Sequence, residues 1–178
     1  MARHLTRSAT RAACQSMKIP ITFFAPPERQ PVEVVHRQAG RFKKSPLLRT
    51  LANAGFNYLF VLNANRQIVM VSENVLDLIA DKTMDQIVGL RTGEALGCIH
   101  AYECESGCGT SRSCRDCGAV KVILNGLAGA RDMGECRITR VVRGRETILV
   151  LQILATPLVH NGDAYTLLTV ASVGKGPR

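Results

Sequence analysis

The sequence predicts an α+β domain: one five-stranded antiparallel sheet, covered by helices on one face, behind a basic N-terminal arm. Three observations carry this. Two runs rich in β-branched and aromatic residues, FNYLFVLN (56–63) and QIVMVS (67–72), flank a tight break at Ala64-Asn65-Arg66 and read as a hairpin. The middle of the chain shows helix caps and an apolar helical period. Three further strand-like runs then follow, joined by short turns.

Taken in order, residues 1–32 show no sustained period and close on Ala25-Pro26-Pro27-Glu28-Arg29-Gln30-Pro31. These prolines lack N–H donors and push their predecessors out of the helical region, so the segment reads as a linker or loosely docked arm. A short helix follows, with Ser45 as N-cap, Pro46 at its first position, Leu47, Leu48 and Leu51 on one face, and Gly55 as terminator. After the first hairpin, Ser72 is placed to cap a helix carrying Val75, Leu76, Leu78 and Ile79. Thr83 with Gln86 forms a capping box for another short turn ending before Gly89. Ser113 is placed to cap a helix whose Val120, Ile123, Leu124 and Leu127 repeat at i, i+3, i+4 and i+7, with Gly126 and Gly129 weakening its end. The last third reads as strands at 134–142, 145–159 and 163–173, with turns at Arg143-Gly144 and Asn161-Gly162. Asn-Gly between apolar runs is a strong hairpin signal.

The charge of +9 is uneven. Residues 1–45 carry nine Lys and Arg against Glu28 and Glu33, while the remainder is near neutral. The chain therefore divides into a basic arm and linker, 1–45, and a domain, 46–175. An arm of this kind can lie on phosphates, so nucleic acid is a conceivable partner through 1–45, but without interleaved aromatics or a reading helix it reads better as a solvated tail. The first 24 residues, Arg-rich and acid-free, also have the composition of a transit peptide. No run of 18 apolar residues is present, so no membrane span is expected. Seven cysteines, an odd and clustered set with no secretory signal before them, suit a reducing compartment, and the cytoplasm is the expected location.

The cysteines mark the candidate site. Five of the seven fall between Gly93 and Gly118, and Cys98, Cys108, Cys114 and Cys117 form C-x9-C-x5-C-x2-C, with His100 and Cys104 inside the first interval. Four soft donors within twenty residues can close on one metal centre. The alternative, that they are small buried apolar groups, sits poorly with Glu94, Glu103, Glu105, Arg112, Arg115 and Asp116 in the same stretch. Cys114 and Cys117 lie at the start of the expected helix, where free N–H groups and the helix dipole favour thiolate. Gly107, Gly109 and Gly118 permit the tight backbone of a loop wrapped round a centre.

From about Gly55 to Val173 the chain resembles a PAS domain. Within that superfamily GLRTGEALGCIHA, then GCGTSRSCRDCGAV, then ECRIT resemble cysteine-containing sensory modules of bacterial signalling proteins. The resemblance sets Cys98, Cys108, Cys114 and Cys117 on the motif cysteines and Cys136 in the ECRI strand, with Cys104 an extra of this sequence. It implies a sensory and regulatory role, a signalling protein as partner, and a homodimer paired through the helix before the first strand, here 46–54. Such modules usually feed a kinase or cyclase, whereas Val173 is followed only by Gly-Lys-Gly-Pro-Arg, so the output is expected to be a protein contact. The resemblance gives the basic arm no role.

For the centre itself, zinc prefers two close ligand pairs, and only one C-x2-C is present. An iron–sulfur cluster accepts four thiolates at irregular spacing. The iron–sulfur sensor is the favoured reading, with a structural zinc scaffold as alternative and a disulfide switch, Cys98 or Cys104 pairing Cys108, as the third. His100, two residues past a ligand, reads as a neighbouring donor more than a ligand. Flavin photoreceptor modules carry Asn-Cys-Arg where this chain has Asp116-Cys117-Gly118, and haem attachment would need His at 118. The chain has no G-x-G-x-x-G, P-loop, H-E-x-x-H or G-x-S-x-G, and nothing links His36, His100 or His160 to a chosen Cys, so no enzyme is expected.

Overall fold

The structure, a computed structural model, describes residues 22–55, 57–79, 82–142 and 144–175. The transit-peptide-like stretch up to residue 21 lies outside the described residues, as does Arg143 of the expected turn. Five strands, β1 (Tyr58–Leu62), β2 (Ile68–Val71), β3 (Asp132–Val142), β4 (Arg145–His160) and β5 (Asp163–Lys175), form one antiparallel sheet in the order β2-β1-β5-β4-β3. This is the α+β architecture expected from the sequence, with the two halves of the chain meeting where β1 pairs with β5. Asn63 builds the β1–β2 turn by accepting the N–H groups of Asn65 and Gln67, both at 3.0 Å, while Arg66 adopts φ 64°. Asn161 and Gly162, at φ 51° and 81°, make the tight β4–β5 turn.

Helices α1 (Val32–Lys43) and α2 (Pro46–Asn53) precede the sheet. Between β2 and β3 lie three single turns, α3 (Val75–Leu78), α4 (Met84–Ile87) and α5 (Thr92–Ala95), two 3-10 turns (Ile99–Tyr102 and Arg112–Asp116), and the longer α6 (Gly118–Leu127). Among the described residues no helix is long and apolar enough to cross a membrane. The main core sits between these elements and the sheet: Phe60, Leu62, Leu151, Ile153, Leu168 and Val170 meet Val75, Ile87, Val122 and Ile123. Burial of Val and Leu side chains at about 1.5–3 kcal/mol each makes this layer the principal source of stability.

Caps fall partly where expected. Ser45 accepts the N–H of Leu48, and Thr83 with Gln86 makes its capping box. Ser72 does not cap α3; its hydroxyl is taken by the N–H of Leu59, tying β2 to β1. Ser113 does not cap α6 either, because a 3-10 turn intervenes and leaves Cys117 at the N-cap position, while the Ser113 hydroxyl donates to Glu103.

The stretch read as an arm is docked from Thr22 onward. In α1, Val35, Ala39 and Phe42 stand at i, i+4 and i+7 and are buried, Val35 and Phe42 against Val61, Val69 and Tyr165 on the sheet face opposite the main core. Phe42 meets Tyr165 edge-on, ring centres 5.0 Å apart. These three positions are interleaved with charged residues and Gly40, so the basic composition hid an amphipathic helix. On α2 the expected apolar face is split: Leu48 packs inward, whereas Leu47 and Leu51 are 67% and 61% exposed.

Candidate functional site

Five free thiols line one cavity of about 320 Å³ between the sheet and the helical layer. Each arrives from a different local structure. Cys98 follows α5 and forms an isolated bridge with Arg140 of β3. Cys108 lies in the loop, Cys114 in the second 3-10 turn, Cys117 at the N-cap of α6, and Cys136 on β3 opposite Leu151. The cavity floor is apolar, with Phe60, Ile138, Leu151, Ile153, Leu168 and Val170 from the sheet.

Two glycines let these sulfurs approach. A Cβ on Gly93 would stand 2.6 Å from Cys108 Sγ and 3.5 Å from Cys98 Cβ, so both side chains occupy the space a larger residue would take. A Cβ on Gly118 would stand 1.9 Å from the Glu135 carbonyl oxygen, which is how α6 starts hard against β3 and how Cys117 and Cys136 meet, sulfur to sulfur at 3.9 Å. Gly107 and Gly109 adopt φ 82° and 94°, the left-handed backbone that the loop was expected to need.

The thiols are not equivalent. The Cys136 thiol beside Cys117 holds Cys117 well below the ordinary thiol range, against the opposing effect of burial, with the N–H groups of Val120 and Ala119 and the His100 charge adding to the shift. Cys136 is pushed up correspondingly, by its hydrogen bond to Cys117 and by burial. Burial pushes Cys98 up to about 11 and Cys108 higher still. Cys117 is thus the more acidic of the two thiols. The Ser111 hydroxyl lies 3.3 Å from Cys114 Sγ.

Beneath the loop is a group the sequence reading missed. The Arg91 side chain, 1% exposed, is surrounded by main-chain carbonyls of three segments: Pro26, Pro27 and Glu28 at 3.4, 3.1 and 2.9 Å, Asn65 at 3.3 Å, and Ser106 and Cys108 at 2.9 and 3.1 Å. Glu94 accepts the Arg91 and Cys108 N–H groups, both at 3.0 Å, and pairs with Arg29. Arg66 donates to the Pro26 carbonyl at 2.6 Å. Burial, and then the neighbouring Arg66 and Arg29, lower Arg91 to about 10. The strap of residues 22–31 continues this wiring, since the N–H groups of Phe23 and Ala25 donate to Thr110 and Gly109 at 2.9 Å, Arg112 stacks on Phe23, and Ala25 is buried with Cys114 and Val120.

Of the residues singled out in the sequence, Cys98, Cys108, Cys114, Cys117, Cys136 and His100 come together at the cavity, and Cys104 does not line it. Cys104 is buried and is not one of the five free thiols. His100 spends its Nδ1 on Glu103, at 2.7 Å, and stands as a neighbour of the thiols. Among the described residues no group of three or more His, Cys, Asp or Glu side chains is arranged around a single ion position. Glu94 carried no sequence signal beyond sitting within the cysteine stretch, and Arg91, just before it, carried none.

No protein-family model matches the chain, and no curated protein sequence matches it. Solved structures do. The PAS domain of an HTR-like protein from Haloarcula marismortui is 13% identical, with 74% of this chain and 98% of that chain covered and a TM-score of 0.48. The PAS domain of nitrogen regulation protein NR(II) from Vibrio parahaemolyticus is 16% identical over 72% of this chain and 100% of that chain, TM-score 0.47. A Rhodobacter sphaeroides LOV protein is 14% identical over 79% of this chain and 70% of that chain, TM-score 0.49. Similarity of this extent adds nothing to the chemistry of the site.

Proposed function

We propose that this chain is a PAS-type sensory module that holds an iron–sulfur cluster on Cys98, Cys108, Cys114 and Cys117 and passes redox or oxygen state on by protein contact. The observation that carries the reading is the convergence of five free thiols on one cavity with an apolar floor. Iron–sulfur centres are thiolate-bound, and when bound such a cluster supplies one-electron redox chemistry. Cys117 already favours the thiolate form. Three guanidinium groups, Arg29, Arg66 and Arg91, face a single carboxylate, Glu94, next to Cys108, an excess of positive charge that offsets part of the burial penalty on a thiolate there. Cys136, touching Cys117, belongs to the same group as a further donor.

A structural zinc scaffold fits less well. Zinc takes four donors around one point, whereas the described thiols are distributed around a cavity with no three facing one ion position. The thiol–disulfide alternative draws support from the Cys117–Cys136 contact, whereas Cys98 and Cys108 are both free thiols. Within the reading, domain 46–175 is the sensor, α1 and the strap are its docked extension, and Leu47 and Leu51 give the expected homodimer an apolar face.

The test is anaerobic purification followed by iron, sulfide and zinc analysis with a visible absorption spectrum. Brown protein with matched iron and sulfide, lost on Cys114→Ser or Cys117→Ser, is expected. Protein that carries only zinc, or that stays metal-free after anaerobic reconstitution, contradicts the proposal.

A further inference from the structure

Cys117 and Cys136 are the one hydrogen-bonded thiol pair among the described residues, their sulfurs 3.9 Å apart. Their backbones are held close, because Gly118 lets the first residue of α6 lie against the Glu135 carbonyl. A disulfide needs the sulfurs about 2.05 Å apart, so side-chain rotation has to close roughly 2 Å. The two are unequal in access: both line the cavity, but Cys136 is 2% exposed whereas Cys117 is partly open. Cys98 and Cys108 flank Gly93, and Cys114 is engaged by Ser111.

We infer that, in the chain free of any centre, Cys117 and Cys136 form an intramolecular disulfide on two-electron oxidation by a hydroperoxide, with Cys117 oxidised first and Cys136 resolving. In the first step the Cys117 sulfur attacks the distal peroxide oxygen, the O–O bond breaks, and the leaving oxygen takes a proton, giving Cys117 sulfenic acid and an alcohol or water. In the second, the Cys136 sulfur attacks the Cys117 sulfur, the S–O bond breaks, and the departing hydroxide takes the Cys136 proton as water. Two thiols are oxidised and one peroxide is reduced. The bond staples the start of α6 to β3. The inference concerns the centre-free thiols alone and does not depend on whether the centre, when bound, is a cluster or zinc.

Trypsin makes the test direct, because Cys117 falls in Asp116–Lys121 and Cys136 in Asp132–Arg137, each with a single cysteine. Full-length chelator-treated protein is exposed to one equivalent of hydrogen peroxide, alkylated without reduction, digested and analysed by mass spectrometry. The two peptides joined as the main product, with two free thiols lost per chain, is the expected result. In Cys136→Ser the resolving step is removed, and a dimedone adduct on Asp116–Lys121 is expected in place of the link. A main product joining other cysteines, or Cys117 alkylated as fast after peroxide as before, overturns the inference, and the wild-type digest decides even if the variant does not fold.

Discussion

Arg91→Leu is the perturbation that most sharply separates a built loop from a loose one. The guanidinium lies among six carbonyls of three segments, at 2.9 to 3.4 Å, and is 1% exposed. Hydrogen bonds to a charged group are worth about 1.5–3 kcal/mol each, and a literal sum would match the whole stability of a domain, about 5–15 kcal/mol. The cost of burying the cation offsets most of that. Removing one member of a buried ionic group costs about 3–5 kcal/mol, and this is the expected loss. For a chain of this size it corresponds to a fall of about 6–20 °C in Tm at about 2–4 °C per kcal/mol. Urea unfolding followed by circular dichroism gives the free energy, and hydrogen exchange gives its location: protection should fall first at Phe23, Ala25 and Cys108, whose N–H groups bond within this assembly. Arg91→Lys should recover only part, since an ammonium has three donors. A loss under about 1 kcal/mol for the Leu variant, below what even a single charged hydrogen bond is worth, would refute the reasoning, as would exchange that rises evenly across the sheet.

Three further outcomes follow from the same geometry. In centre-free protein Cys117 should alkylate at a pH well below the ordinary thiol range while Cys98 waits until about 11, as read by peptide mapping; equal profiles would contradict the assignment of Cys117 as thiolate. Because the folded state depresses Cys117, that group stabilises the fold above the ordinary thiol value, and its contribution is lost as pH falls through the depressed one. Gly93→Ala places a Cβ 2.6 Å from Cys108 Sγ, so iron binding should be lost for about 1–3 kcal/mol of stability, and retention of full iron content would show that Cys108 is no ligand. Deleting residues 1–31 removes Ala25 and three of the carbonyls around Arg91, and should lower Tm by more than a few degrees and raise exchange at 106–110; an unchanged melt would show that the strap carries no stability.

What the sequence disclosed and what it concealed divide along side chain and main chain. The strands, α6 and the Thr83 capping box were legible because apolar period and capping residues are properties of side chains in a line. So was the convergence of Cys98, Cys108, Cys114 and Cys117, whose spacing fits a wrapped loop. The strap was not, since its docking runs through carbonyls of Pro26, Pro27 and Glu28 and through N–H groups of Phe23 and Ala25, which composition does not report. Arg91 looks like any surface arginine in GLRTGEA until those carbonyls are placed around it. The Cys117–Cys136 contact depends on Gly118 meeting the Glu135 carbonyl oxygen, seventeen residues along the chain, a meeting that only the fold creates. In α1 the periodic Val35, Ala39 and Phe42 were available to reading and were masked by the basic residues between them.

The central claim is that the thiol-lined cavity holds iron bridged by sulfide, and iron K-edge X-ray absorption on anaerobically prepared protein tests it most directly. The account predicts an all-sulfur first shell together with an iron–iron vector, both lost when Cys114 and Cys117 are replaced by Ser. Iron with nitrogen and oxygen neighbours and no iron–iron vector, or protein whose metal is zinc alone, would contradict it.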